Sequence, residues 1–539
     1  MGKGKNESGA GMQRKSSFIL STMASSGHRR RRSPSPELPT SAKGTSPRKP
    51  ETLIRRVLTA PALLVRRVNA LSFRRKLALY LSILVLAYLA YARRTRLWLL
   101  YTVTGIGQNE DDTNMNWPPH YTNVREWENN LPQHNLALPY PEGATGRYVK
   151  FSSQIKTLGW NNVFNELLLL TMLAQRTNRA YVFEDYVWKQ GYYPWNWFKA
   201  FEVPSRTPLP ALIAGPTAGG SWGPNSTSAR SISDKWWPVV CPPDQVKVFQ
   251  VNDMKREYNL YEKSATEIFE VWRKVIADDP ARCIEVQGPP RKVEANAQVF
   301  DLWLWGSYRI LDIWEEFKKS DVSQLLATSP IVERVVDRNE HLFRTPQTPA
   351  GEDPFKRVFA VHARRGDFSW ACQLLADWKS TFYSWNQLPF LPDRWHDLPG
   401  GIPGKNTPEN VKTYFERCLP TKERLIERIN NARDDYEREV FGPTSRSHNI
   451  DVLFLLSNDK TPWIKELRHE LETRHGWKIV TSNDIVLKNA QEKDVGMAVD
   501  MDLGRKAAIF MGNGWSSYTS NIVHRRLVDG KIPMANRFF

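Results

Sequence analysis

The residues best suited to chemistry sit where an apolar run, Val358-Phe359-Ala360-Val361, passes straight into His362-Ala363-Arg364-Arg365-Gly366-Asp367-Phe368. In α/β proteins, side chains at the carboxyl end of a parallel strand reach the ligand crevice. A guanidinium there can grip a diphosphate through two parallel charge-assisted hydrogen bonds and offset the charge developing on a leaving nucleotide. Arg364 and His362 are the candidates for that work, whereas Arg365 and Asp367 read as an ion pair fixing the turn at Gly366. A second candidate is Phe510-Met511-Gly512-Asn513-Gly514-Trp515-Ser516-Ser517-Tyr518-Thr519, a strand, a glycine-rich turn and a hydroxyl-rich helix start. Free N–H groups and the helix dipole favour an anion at such a terminus, so Ser516 and Ser517 are either a phosphate cradle or a plain N-cap.

Two weaker patterns join them. In Leu158-Gly159-Trp160-Asn161-Asn162, glycine permits close backbone approach, and the amides of Asn161 and Asn162 suit sugar or phosphate oxygens, although Asn also caps helices. Asp500-Met501-Asp502 has the Asp-x-Asp form that holds a divalent ion in many sugar-nucleotide enzymes. Expected on a loop or helix start just before a strand, Asp500 suits base reading or helix capping better than metal ligation.

Alternating strand and helix patterns surround these residues. Strand-like Arg147–Phe151, helical Asn162–Arg176 and strand-like Ala180–Phe183 form a βαβ unit. A second series runs through strands at Arg357–Val361 and Asp451–Leu456, a helix at Pro462–Arg474 and a strand at Lys478–Thr481. It ends with a strand at Ala508–Met511 and a helix at Ser516–Leu527. The fold class is therefore α/β, with two Rossmann-like domains facing one another, 146–350 and 351–539, the second binding the nucleotide.

The chain has 539 residues and a net charge of +18. Residues 1–76 hold 18 Lys/Arg against Glu7, Glu37 and Glu51, so +15 belongs to the tail and only +3 to the other 463 residues. A basic globular face for nucleic acid is thus poorly supported. The tail, rich in Ser, Pro, Gly, Lys and Arg, reads as disordered and cytosolic. Leu77–Ala92 carries no charge and is bracketed by Arg74, Arg75, Lys76 and Arg93, Arg94, Arg96. As a helix it spans about 24 Å against roughly 30 Å of hydrocarbon, a shortfall that snorkelling arginines can close. The basic side stays cytosolic, which predicts a type II anchor, a stem over 93–145 and a lumenal remainder. The four cysteines, Cys241, Cys283, Cys372 and Cys418, all follow this segment; they are two disulfides, with three possible pairings, or four buried thiols. Asn225-Ser226-Thr227 is a glycosylation sequon on the lumenal side, whereas Asn6-Glu7-Ser8 lies on the cytosolic side.

Taken in order, these pieces resemble the GDP-fucose protein O-fucosyltransferase family. The resemblance rests on Gly159–Asn162 leading to Asn178-Arg179-Ala180-Tyr181-Val182, on His362–Phe368, on Leu455-Leu456-Ser457-Asn458-Asp459, and on Asp500 ten residues before Phe510–Tyr518. It covers roughly 150–539, with a poorly matched middle from about 185 to 350. The resemblance implies a GT-B fold, GDP-fucose as donor, inverting transfer to a Ser/Thr hydroxyl, and no metal or other cofactor. It implies that Arg364 binds the β-phosphate with His362 beside it, and that Gly159, Asn161 and Asn162 line the donor site. Asp500 would read guanine, and Ser516 and Ser517 would hold phosphate oxygens. Trp160 and Val163 replace residues that are usually smaller or polar, and the loop lacks the Glu that some relatives use as base, leaving Glu166 and Asp367 as substitutes. Alternatives are a GT-B transferase with another nucleotide sugar or a glycan acceptor, and an inactive lumenal GDP-binding protein. ER and Golgi are equally open as addresses.

Overall fold

The computed structural model describes residues 112–153, 158–195, 205–288, 298–442, 449–457, 459 and 461–539, with scattered positions between 72 and 91. The basic tail to residue 71 and most of 77–92 lie outside the described residues. Among those described, no helix is long and apolar enough to cross a membrane.

The first half runs through α1 (Thr122–Asn129), β1 (Tyr148–Phe151), α2 (Trp160–Arg176), β2 (Ala180–Phe183), β3 (Ile232–Ser233), β4 (Val246–Gln250), α3 (Ala265–Asp278) and β5 (Cys283–Gln287). The second half comprises α4 (Pro330–Asn339), β6 (Val358–His362), α5 (Ser369–Asp377), α6 (Pro408–Cys418), α7 (Lys422–Phe441), β7 (Val452–Leu456), α8 (Pro462–His475), β8 (Lys478–Thr481), α9 (Gly496–Lys506), β9 (Ile509–Gly512), α10 (Ser517–Val528) and β10 (Asn536–Phe538).

Each half is built on a five-stranded sheet. The orders are β3-β2-β1-β5-β4 and β8-β7-β6-β9-β10, with every neighbouring pair parallel. Sheets of this kind are covered on both faces, so their central strands are unbroken apolar runs. Val358–His362 and Val452–Leu456 are buried at every position. One face of the second sheet packs Phe359, Val361, Leu453, Leu455, Ile509 and Met511 against Leu425 and Ile429 of α7 and Leu467 and Leu471 of α8. In the first half, α2 is buried at every residue from Trp160 to Ala174 except Asn162, including the polar Asn161, Asn165, Glu166 and Thr171.

Two arginines hold this framework from inside. Arg179, only 1% exposed, donates to the carbonyls of Ile276, Asp279, Ala281 and Arg282 at 2.8–3.2 Å. Asn178 before it adopts the left-handed region, φ +56°, and turns the chain out of α2. The Asn-Arg pair singled out in sequence is thus an architectural joint. Arg526 in α10 donates to five carbonyls, those of Gly504, Arg505, Ala507, Ala508 and Ala535, and to Asn536 Oδ1.

The four cysteines form Cys241–Cys283 and Cys372–Cys418, each with Cα atoms 5.8 Å apart. The second ties α5 to the end of α6, whose Cys418 carbonyl accepts from Asn513 Nδ2 at 2.8 Å, so it braces the glycine turn between β9 and α10.

The stem expected over 93–145 is not a stem in its second part. Residues 112–145 are built into the fold. Asp112 accepts from the His120 and Tyr121 amides and from Gln491 Nε2, and buried Tyr121 donates to Asp494 Oδ2 at 2.5 Å. Thr207 of the first half donates to the same oxygen at 2.7 Å. Composition alone suggested a loose linker; irregular backbone fixed by long-range side-chain bonds has no period to betray it.

Candidate active site

The carboxyl ends of both sheets open on one cleft of about 490 Å³. All eight residues singled out in sequence line it: Gly159, Asn161, Asn162, His362, Arg364, Asp500, Ser516 and Ser517. They come from four separate stretches of chain, brought together because α2 follows β1, α10 follows β9, and β6 lies between β7 and β9.

Arg364 is half-buried just beyond β6, its guanidinium carbon 5.5 Å from the centre of the Phe368 ring. Arg365 turns elsewhere. It lies 3.8 Å from the centre of the Trp463 ring, donates to the Pro420 carbonyl and pairs with Asp459 at 3.6 Å. The Asp367 side chain, the partner expected for Arg365, lies outside the described residues; the ion pair found is with Asp459. That carboxylate is set by the Ser457–Asp459 turn, in which Ser457 Oγ donates to the Ala363 carbonyl and accepts from the Asp459 amide. Holding Arg365 away leaves Arg364 as the cleft's guanidinium from this motif.

His362 is 7% exposed, its Nδ1 3.1 Å from Thr519 Oγ1 and its ring 4.5 Å from that of Tyr518. Burial, and secondarily Arg364, push its pKa down to about 3, so the imidazole is neutral at physiological pH. It contributes a polar edge, not a second positive charge. Gly512 explains the close packing here: a Cβ at that position would stand 2.4 Å from Thr519 Oγ1.

Ser516 takes the N-cap position of α10 yet makes no side-chain capping bond. The residue is 8% exposed, and its hydroxyl is not committed to capping the helix. Ser517 opens the helix proper, and the first N–H groups of α10 face the same end. Gly514 is required sterically, since a Cβ would meet the Phe382 ring at 2.3 Å. Gly514→Ala should cost about 1–3 kcal/mol of stability by overpacking, measurable as a lowered denaturation midpoint with unchanged slope.

Asp500 was expected on a loop or helix start and lies inside α9. Helical residues two apart point in different directions, and this splits the Asp-x-Asp pair. Asp500 lines the cleft and accepts from Ser482 Oγ at 2.7 Å; Asp502 is buried among Thr328, Arg505 and Arg525. Among the described residues, no group of three or more His, Cys, Asp or Glu is arranged to hold a metal ion. Burial pushes the Asp500 carboxyl up to about 7, with the Ser482 hydroxyl opposing.

In the Gly159 loop the roles divide. Asn161 accepts from Asn521 Nδ2 through both its carbonyl and its amide oxygen, at 2.9 and 3.0 Å, so it chiefly ties α2 to α10. Asn162 is the position of the helix start that faces out of the core. A Cβ on Gly159 would meet only Asn162 Nδ2, at 3.9 Å, so space does not demand glycine there. Glu166, one substitute for the missing base, is fully buried, hydrogen-bonded to Gln298 and not part of the cleft wall. It is ruled out as a group touching substrate: although one turn along the same helix face as Asn162, it is 0% exposed and enclosed beneath the helix's first turn.

Sequence reasoning missed the cleft's aromatic side. Trp303, Trp370, Trp378, Tyr186, Trp188 and Tyr192 line it, most from the middle segment that matched the family pattern poorly. Tyr192 and Trp370 remain 56% and 38% exposed. The density of rings in Tyr186–Trp197 was the available signal.

No protein-family model matches the chain, and no curated protein matches it in sequence. Among solved structures it is similar to POFUT1 in complex with GDP, at 13% identity and a TM-score of 0.43, covering 73% of this chain and 98% of that one. It is also similar to NodZ alpha-1,6-fucosyltransferase soaked with GDP-fucose, at 14% identity and a TM-score of 0.35, over 71% and 92% of the two chains. A further neighbour is the fucosyltransferase NodZ from Bradyrhizobium, at 15% identity and a TM-score of 0.33, with the same coverage. The structure neighbours of this chain thus include POFUT1 and NodZ.

Proposed function

We propose that this chain transfers fucose from GDP-fucose to a hydroxyl acceptor, with a protein Ser/Thr as the first acceptor class. It would do so as a single-pass type II membrane protein of the Golgi or ER, anchored through 77–92, with its catalytic part in the lumen. The observation that carries the reading is the meeting of Arg364, the amide end of α10 with Ser516 and Ser517, and Asp500 on one cleft wall. A helix N-terminus and a guanidinium suit a diphosphate. A carboxylate beyond them suits the N1–H and N2–H donors on the Watson–Crick edge of guanine. As the sugar–phosphate bond breaks, charge grows on the β-phosphate, where Arg364 stabilises it; neutral His362 buttresses the strand end. A leaving group so stabilised needs little help from a base.

Purified protein supplied with GDP-fucose, GDP-mannose and UDP-sugars should release nucleotide from GDP-fucose alone, and chelation should leave the rate unchanged. Release from UDP-sugars in preference would overturn the donor assignment. Loss of turnover on chelation would overturn the metal-free mechanism.

A glycan acceptor is favoured by one feature, the half-exposed Trp370 and Tyr192 at the aromatic side of the cleft. Flat rings with one solvent face pack against the apolar faces of sugar rings, and burying about 50 Å² of apolar surface there is worth about 1.3 kcal/mol, roughly tenfold in affinity. On this reading Trp370→Ala raises the acceptor KM about tenfold and leaves acceptor-free hydrolysis of donor unchanged. An unaltered KM with glycan acceptors would return the assignment to protein Ser/Thr.

A further inference from the structure

The loop between residues 219 and 231 is pinned at its base and exposed at its tip. The buried Gln133 amide donates to the carbonyls of both Gly219 and Ser231, at 2.9 and 2.7 Å, closing the loop like a clasp. Trp222, 6% exposed, anchors one limb, and its Nε1 donates to the Ala229 carbonyl at 2.9 Å. Arg230 on the other limb is held by Glu142 at 2.6 Å. Beyond these ties, Pro224, Asn225, Ser226 and Thr227 are all exposed, in a turn where Gly223 takes φ +95°. None of the four lines the cleft. The sequence holds only two Asn-x-Ser/Thr sequons, this one and Asn6-Glu7-Ser8. All four cysteines are joined in disulfides, the state favoured where thiols are oxidised and where such glycans are added.

We propose that Asn225 carries an N-linked glycan, the rigid loop base presenting the modified tip to solvent. The inference rests on the lumenal placement argued above. In the step, Asn225 Nδ2 bonds to the anomeric carbon of a lipid-diphosphate-linked oligosaccharide. The carbon–oxygen bond to the diphosphate breaks, the lipid diphosphate leaves with the electron pair, and the amide gives up one proton. Thr227 supplies the hydroxyl required two residues on, and Ser226 fills the unrestricted middle position.

The test uses the full chain expressed in eukaryotic cells, with mobility read before and after an amidase that removes N-linked glycans. One step of mobility should be lost on treatment. Asn225→Gln and Thr227→Ala should lack that step, whereas Ser226→Ala should retain it. GDP binding should be unchanged in all three, which shows that they fold. Protease protection in microsomes from the same cells separates topology from glycan attachment. A protected C-terminal part without a glycan overturns the Asn225 assignment and leaves the lumenal reading standing. An unprotected C-terminal part, or a glycan on Asn6 instead, overturns the topology and with it the proposal.

Discussion

Arg364→Ala is expected to slow GDP release from GDP-fucose at least about 100-fold, the scale on which removal of one preorganised charge stabiliser acts. The effect should fall on kcat and kcat/KM together, because the interaction strengthens as negative charge gathers on the departing diphosphate. Arg364→Lys should recover little, since an ammonium lacks the planar fork that meets two phosphate oxygens at once. Arg365→Ala is the informative companion. Arg365 is occupied with Trp463, Pro420 and Asp459, so its loss should lower stability while the turnover of the folded fraction falls far less. Equal losses of turnover in the two variants would refute the division of labour between these neighbours.

Asp500→Asn is expected to weaken GDP binding about 100-fold and to erase the preference for GDP over ADP and UDP. A carboxylate accepts both guanine donors, whereas an amide accepts one and opposes the other with its own N–H. Charge-assisted bonds of this kind are worth about 1.5–3 kcal/mol each, and about 2.7 kcal/mol corresponds to 100-fold. The pH dependence follows from the carboxyl being pushed up to about 7. Only the ionised form accepts from both donors, so affinity should rise as pH climbs through 7 and fall about tenfold per unit below it. Uncharged guanosine is the ligand of choice, because it removes the titration of the phosphates from the measurement. The free protein shows the opposite sign. A carboxyl whose folded value lies above its unfolded value, near 4, binds more protons when folded. Its contribution to stability therefore declines as pH rises from about 4 to about 7. A guanosine affinity flat from pH 5 to 8 would remove Asp500 from the base-reading role.

Strands and helices were legible wherever one physical requirement governed a whole segment. Ala180–Phe183 and Lys478–Thr481 lie where their apolar patterns put them, Val452–Leu456 starts one residue late, and Val358–His362 and Ile509–Gly512 are shifted by one residue at both ends. Buried parallel strands must be apolar on both faces, and that requirement is written locally. Residues 112–145 were not legible, because Asp112 finds Gln491 and Tyr121 finds Asp494 across more than 370 positions. The aromatic cleft wall was missed for a different reason: ring density marks Tyr186–Trp197 but does not say which surface those rings line.

The sequence by itself determined the two α/β halves, the concentration of net positive charge in the first 76 residues and the eight polar or glycine positions that line the cleft. These follow from short-range pattern: periodicity, strand-end placement and turn chemistry. Tertiary structure decided what each of those residues is free to do. It set Arg365 against Trp463 and left Arg364 at the cleft, split Asp500 from Asp502 on a helix, engaged Asn161 with Asn521, and chose one cysteine pairing of three. Residue type fixes a side chain's possible bonds, but which bond forms depends on the neighbour that packing brings within about 3 Å, and that neighbour is generally distant in the chain.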